Sequence, residues 1–348
     1  MRGLIVKLGS RETGVELATI AEPAQDEGAI LVQSLALGVC GTDREILRHE
    51  YGSPPPGQEG LVIGHESLGR VLAAPRECEL ATGDLVVGVV RHPDPEPCSS
   101  CGAGEPDMCK NGRHTERGIK GRHGFARERY RLEPGFAIKV PPELGRLGVL
   151  IEPASVVAKA WEHIERIGQR AHWAPRRALI TGAGPVGLLA ALLARQRGLE
   201  VHVLDLVRDG PKPTLVRDLG ATYHAGELAS TCTTADVIVE CTGVASLVLT
   251  AMRCNAGGAI VCLAGLSGPR TMDVDVGALN QHLVLQNDVI FGTVNANRRH
   301  YRLAAEALAR ADRDWLERLI TRRVPLDRWA EALEALEHDV KVVIDFAV

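Results

Sequence analysis

No stretch of this 348-residue chain approaches the roughly 20 consecutive apolar residues that cross a bilayer, which argues against a membrane protein. Neither sign of charge dominates: 40 Lys and Arg stand against 44 Asp and Glu, with a pI near 6.3. That balance offers no obvious surface to nucleic acid or an anionic membrane. The first residues, MRGLIVKLGSRETGVEL, lack the basic region, apolar core and small-residue cleavage site of a signal peptide, so the expected location is the cytoplasm. There is no internal repeat and no low-complexity tract. The nine cysteines are odd in number and scattered, which argues for reduced thiols, some of them on metal, rather than disulfides. Cys78, Cys232, Cys241, Cys254 and Cys262 have no ligand-like neighbours in sequence. Cys262, within AIVCLAG, reads as a strand residue filling space.

What is present changes style part-way along. Residues 1 to about 155 carry short β signals broken by Gly and Pro, among them GAILVQSLALGV, GHESLGRVLAA, GDLVVGVVR and FAIKVP, the pattern of an irregular, barrel-like β domain. From SVVAKAWEHIERI onward, apolar residues recur at helical spacing. RALITGAG then predicts a strand and turn, and PVGLLAALLARQRG a helix with Pro185 near its start and Gly198 past its end. EVHVLDL, ADVIVECTG, GAIVCLAG and DVIFGTVN predict further strands. This alternation implies a doubly wound parallel sheet, giving an α/β protein of two domains. The last 50 residues, from HYRLAAEALARADRDWLERLITRRV, read as helical before a terminal strand in VKVVIDFAV.

Between the first of those α/β strands and its helix stands Gly182-Ala-Gly184-Pro185-Val186-Gly187. A GxGxxG at a strand-to-helix turn is a dinucleotide fingerprint: Gly182 permits the turn, Gly184 lets backbone approach a pyrophosphate, and Gly187 lets helix and strand pack. The helix start offers unpaired N–H groups to the phosphates. Asp205 ends the next strand, where a carboxylate hydrogen-bonds a ribose 2′-hydroxyl and repels a 2′-phosphate. NAD is therefore the expected cofactor, while Arg208, three residues on, keeps NADP open.

Cys40 sits between two glycines in LGVCGTDREI and could be a small core residue, a nucleophile or a ligand. His65 and Glu66 in GHE, and Glu152 in LIEPASVVAKA, offer an imidazole and two carboxylates. Thiolate, imidazole and carboxylate together make a plausible Zn²⁺ shell, although each residue alone is weak evidence.

GVCGTD, GHE, EPASVVAKA and GAGPVG occur in the order found in zinc-dependent medium-chain dehydrogenases, which the chain resembles over essentially its whole length. CGTDREI, GEPDMCKNGRHTERGIKGRHGFARE and VNANRRHY are similar to the glucose 1-dehydrogenase branch. The resemblance implies a GroES-like catalytic domain over residues 1–155 and 296–348, with a Rossmann domain over 156–295. It implies a catalytic zinc on Cys40 and His65, with Glu66 and Glu152 completing or exchanging within the shell. Thr42 would link the substrate hydroxyl to a proton relay, Glu116 would accept a sugar hydroxyl, and Asn295 would lie near the nicotinamide and the sugar. Relatives are dimers or tetramers, so a homo-oligomer is expected on the same ground.

Many relatives also carry a C-x2-C-x2-C-x7-C lobe for a structural zinc. Cys98, Cys101 and Cys109 fit its last three positions, but the first falls on Pro95, leaving Asp94, Glu96 or His92 as candidates for the fourth ligand. The reaction implied is oxidation of the C1 hydroxyl of an aldose, glucose foremost, to a lactone, with hydride passing to the nicotinamide. The rival within the same chemistry is a sugar alcohol, cyclitol or hydroxy amino acid such as threonine. A methyltransferase would leave Cys40, His65 and Glu152 without a task, and a non-catalytic nucleotide sensor would bind dinucleotide without zinc.

Overall fold

In the computed structural model the chain divides into two units, Met1–Ser155 with Asn295–Val348, and Val156–Val294. The structure describes residues 1–8, 14–226, 235–253, 255–268 and 271–346; Cys232 and Cys254 lie outside them. Asn295, expected at the end of the second domain, clusters with the first unit.

The first unit is built on a long strand, Ile30–Val39, whose apolar run is buried on both faces at its C-terminal half. It pairs antiparallel with Glu66–Ala73 on one side and with the C-terminal strand Lys341–Asp345 on the other. Leu85–Gly88 and Ala137–Lys139 extend the sheet at one edge and Ile320–Pro325 at the other. A smaller sheet joins Arg91–His92, Thr115–Arg117 and Gly121–Arg122. Leu4, Ile30, Val32, Ile46, Leu61, Phe125 and Tyr130 are among the residues that fill the core. Ile320–Pro325 corrects the helical expectation for LITRRV. The helix Arg313–Leu319 stops, and the next residues alternate in burial with the period of two that a half-covered strand requires.

Among the described residues the second unit holds a sheet of six strands, all parallel. Their order is Thr222–Ala225, Glu200–Asp205, Arg177–Thr181, Val237–Glu240, Ile260–Leu263, Val289–Gly292. Numbered along the chain this is 3-2-1-4-5-6, the Rossmann order, whose reversal of direction opens a crevice at the carboxyl ends of the strands. Cys262 lies in the fifth of these strands and is fully buried, and burial pushes its thiol up to about 12. Among the described residues no helix is long and apolar enough to cross a membrane.

Candidate active site

Strand register assembles the first cluster. Cys40 directly follows Ile30–Val39 and caps the helix Gly41–Leu47, where its backbone N–H donates to Asp43 Oδ2 at 2.8 Å. Glu66 begins the neighbouring strand, opposite Gly38. A Cβ at residue 38 would lie 2.0 Å from Glu66 Oε2, so glycine there is what makes room for the carboxylate. Gly64 turns the chain into His65 with φ +88°, a left-handed conformation that glycine adopts without strain. One ligand atom from each of Cys40, His65 and Glu66 lies within 4.8 Å of the others, and His65 and Glu66 are buried.

The surrounding groups orient these donors. His65 Nδ1 faces Asp43 Oδ1 at 3.3 Å, leaving Nε2 for a metal. Burial works against charge on both, yet Asp43 holds His65 well above the usual imidazole range, and His65 keeps the Asp43 carboxyl low. Such a carboxylate behind a ligating histidine fixes its tautomer and raises its basicity. Lys341 Nζ contacts Glu66 Oε2 and donates to the carbonyl of Val39 at 3.0 Å.

Glu152, expected to complete the shell, is buried but does not join the three atoms that converge. Burial pushes its carboxyl up to about 7, with His65 acting against that rise and Glu66 adding to it. A divalent cation would relieve that penalty. The donor set, the oriented imidazole and the destabilised carboxylate all fit zinc. Thr42 is half-buried on the first turn of the helix that Cys40 caps.

A second polar cluster lies in the same unit. Arg91 stands opposite Glu116 on paired strands. Glu116 Oε1 accepts from Arg91 Nε at 3.1 Å, Arg91 Nη2 at 2.9 Å and Asn295 Nδ2 at 2.6 Å. Asn295 adopts φ +62° and spends its own Oδ1 on the backbone N–H of Ala296, so its amide acts as a buttress of Glu116. Tyr301 links the two clusters. Its hydroxyl accepts from the N–H of Val90, next to Arg91, and its phenol is pushed up by burial and then by Glu152.

The three-cysteine lobe is drawn together as well: the thiols of Cys98, Cys101 and Cys109 lie within 4.8 Å of one another. The backbone N–H groups of Lys110 and Cys101 pull the Cys98 thiol down to about 6, while burial pushes Cys101 up to about 11. None of the expected fourth ligands joins them. The His92 ring stacks on Phe136 at 3.9 Å, Glu96 points to solvent on Arg113, and Asp94 is engaged by Arg113 and Asn111. Asn111 instead brings its Oδ1 to 3.0 Å from Cys109 Sγ.

In the second unit Gly182 takes φ +88° at the end of Arg177–Thr181, and a Cβ on Gly187 would lie 1.8 Å from the Gly182 carbonyl oxygen. Around Gly184 a Cβ would meet nothing within 4 Å, so backbone is open to a ligand there. Pro185 and Val186 begin the helix Pro185–Gln196. Asp205 Oδ2 accepts from the N–H of Ala183 at 2.6 Å, and Oδ1 from Val207 at 3.1 Å, which ties the acidic strand end to the glycine turn. Arg208 is exposed.

Two family models match consecutive parts of the chain: the alcohol dehydrogenase GroES-like domain over residues 26–142, and the glucose dehydrogenase C-terminus over residues 145–346. The glucose 1-dehydrogenase of Methanocella arvoryzae is 38% identical over 99% of both chains, and that of Thermoproteus tenax 36% over 99% of both. The structure of Haloferax mediterranei glucose dehydrogenase in complex with NADP, Zn and gluconolactone covers 100% of both chains at 30% identity, with a TM-score of 0.91. The chain belongs to the zinc-dependent medium-chain dehydrogenases, in their glucose dehydrogenase branch. Sequence reasoning did not single out three groups in this dehydrogenase: Asp43 behind His65, Lys341 on Glu66, and Arg91 on Glu116. Only Asp43 left a local trace, as the acidic third residue of a helix capped by a candidate ligand.

Proposed function

We propose that this dehydrogenase oxidises the C1 hydroxyl of an aldose, glucose foremost, to the lactone, with NAD preferred over NADP as the acceptor. The observation that carries this reading is the convergence of Cys40, His65 and Glu66 in the unit that also holds Glu116, one oxygen of which is buried and without a hydrogen-bond partner among the described residues. The names of the relatives support glucose, and gluconolactone in the Haloferax complex is the product such a reaction gives.

When bound, zinc would supply the Lewis-acid polarisation that acidifies a hydroxyl, and the dinucleotide would supply the hydride acceptor. Cys40, His65 and Glu66 would hold the metal, with Glu152 beside them, and Asp43 fixes the ring of His65. Thr42 takes the proton outward. Glu116, braced by Arg91 and Asn295, accepts a hydroxyl of the sugar. Gly182, Gly184, Pro185, Val186 and Gly187 cradle the pyrophosphate, and Asp205 receives the ribose hydroxyl. The Cys98, Cys101 and Cys109 lobe takes a second, structural zinc. The same reading makes the protein a cytoplasmic homodimer or homotetramer.

Metal analysis with kinetics tests it. Two zinc ions per chain and turnover of glucose are expected. Cys40→Ser should lose one zinc and all turnover but keep dinucleotide binding, and Cys101→Ser should lose the other zinc and keep turnover. Oxidation of polyols with none of any aldose overturns the substrate assignment; near-normal activity in Cys40→Ser overturns the metal site.

A further inference from the structure

Glu116 presents two unlike oxygens. Oε1 carries three donors and is saturated, whereas Oε2, on a side chain only 3% exposed, has no hydrogen-bond partner among the described residues. A buried carboxylate oxygen left bare is costly unless a ligand completes it. His114, two residues earlier on the chain, places its Nε2 4.0 Å from that oxygen. Its Nδ1 is buried and likewise without a partner among the described residues.

We propose that His114 is a specificity-determining residue whose Nε2, with Glu116 Oε2, grips one hydroxyl of the sugar from both sides. This rests on the aldose reading above and assigns a residue that the family motifs did not single out.

The geometry suits a single oxygen atom. Two polar atoms 4.0 Å apart can each stand about 2.8 Å from one oxygen lying between and in front of them, at an angle near 90°. A hydroxyl donates one proton and offers two lone pairs, so it can give to the carboxylate and receive from the imidazole at once. Burial, and then the guanidinium of Arg91, lower the His114 pKa and favour the neutral ring. In that ring the nearby carboxylate favours the tautomer with its proton on Nε2, which is the donor the grip requires. An ammonium would have no lone pair for the imidazole and would meet the positive charge of Arg91. Arg91, held by the Asp107 carbonyl at 3.2 Å, fixes the carboxylate and is a positioning residue. The pair therefore selects a group that both donates and accepts, and penalises a substrate lacking it by leaving the buried Glu116 Oε2 unmet and the half-buried His114 Nε2 without its acceptor.

The test compares glucose with its 2-, 3-, 4- and 6-deoxy analogues on the zinc-loaded wild type, His114→Phe and His114→Gln, with circular dichroism and zinc content checking each variant. One deoxy sugar should be about tenfold or more worse than glucose in kcat/KM on the wild type. His114→Phe should lose a similar factor on glucose but little further on that one deoxy sugar, while the other deoxy sugars lose as glucose does. His114→Gln, which keeps an N–H donor, should recover part of the loss. An equal loss on every sugar makes His114 structural and overturns the proposal. If the wild type oxidises no aldose, the aldose reading itself fails and takes this one with it; glucose turnover without the deoxy pattern overturns this one alone.

Discussion

The ammonium of Lys341 rests on the carboxylate of Glu66, and both side chains are only 2% exposed. They come from opposite ends of the chain and meet because the strand Ile30–Val39 holds Glu66–Ala73 on one side and Lys341–Asp345 on the other. Burial opposes charge on Lys341, but Glu66 and then Cys40 hold its pKa above the usual lysine value. A charged pair this deep is stable only while both members remain. Lys341→Met should lower the unfolding free energy of the zinc-free protein by about 3 kcal/mol, because it strands a buried carboxylate. Adding Glu66→Gln should restore most of that. Urea unfolding of both variants checks it, and a double variant as unstable as Lys341→Met would show that the ion pair is not what matters.

The proposed preference for NAD places the choice of cofactor on Asp205. Its carboxylate ends the second Rossmann strand and accepts from the N–H groups of Ala183 and Val207, with Lys212 at 3.5 Å. Removing it loosens the glycine turn for either cofactor, so the informative quantity is a ratio. Asp205→Ala should lower the NAD over NADP ratio of kcat/KM by about tenfold, since the repulsion of a 2′-phosphate disappears. Arg208→Ala should lower the use of NADP more than of NAD. An unchanged ratio in Asp205→Ala would mean that the ribose lies elsewhere.

Which parts of this could be read from the sequence follows a physical line. The five α/β strands written as short, largely apolar runs, and the Gly182–Gly187 turn between strand and helix, carry their own local signal. Thr222–Ala225 does not: as an edge strand with two half-buried and two exposed residues it needs no apolar run, and TYHA offers none. LERLITRRV continues an amphipathic pattern that predicts helix through Ile320–Pro325, and pairing with Lys341–Asp345 makes that segment a strand. At the site, Cys40, His65 and Glu66 are marked by their chemistry. Lys341 and Arg91 become meaningful only through register, the first by a bond to a carbonyl 302 residues away. The spacing points to Asp94, Glu96 or His92, around Pro95, for the fourth ligand of the cysteine lobe, whereas Asn111 approaches Cys109 from the other side of the loop.

The helix Val276–Gln286 is where the proposed association of identical chains can be tested. It has no buried residue, and Val276, Val284 and Leu285 are each about two-thirds exposed. Beside it in sequence, Val289–Gly292 is an edge strand that among the described residues pairs only with Ile260–Leu263. No Lys, Arg, Asp or Glu occurs from Val276 to Asn287. In a two-fold contact each patch meets its own copy, so an uncharged apolar patch is self-compatible where a charged one would repel. An open strand edge can also pair antiparallel with its own copy. A second copy of this chain is therefore the expected occupant. Leu285→Lys with Val284→Lys should shift the mass measured by light scattering toward the monomer, because like charges then face each other; an unchanged assembly would place the contact elsewhere.

His92 supplies a pH dependence whose sign can be worked through. Its ring is 2% exposed and stacked on Phe136, and burial, then Arg122 and Arg117, push its pKa down to about 2. In the unfolded chain the same ring titrates near 6.5. Above that value both states hold a neutral ring, and the native state suffers nothing. As the pH falls below it, the unfolded chain takes up a proton that the folded one refuses, so stability declines steadily until the folded value is reached. By pH 5 this single group should cost about 2 kcal/mol relative to pH 7.5. His92→Leu, apolar and of similar size, removes the titration and should lose about that much less between the two pH values in urea unfolding. An identical loss in wild type and variant would show that the folded protein protonates His92 after all.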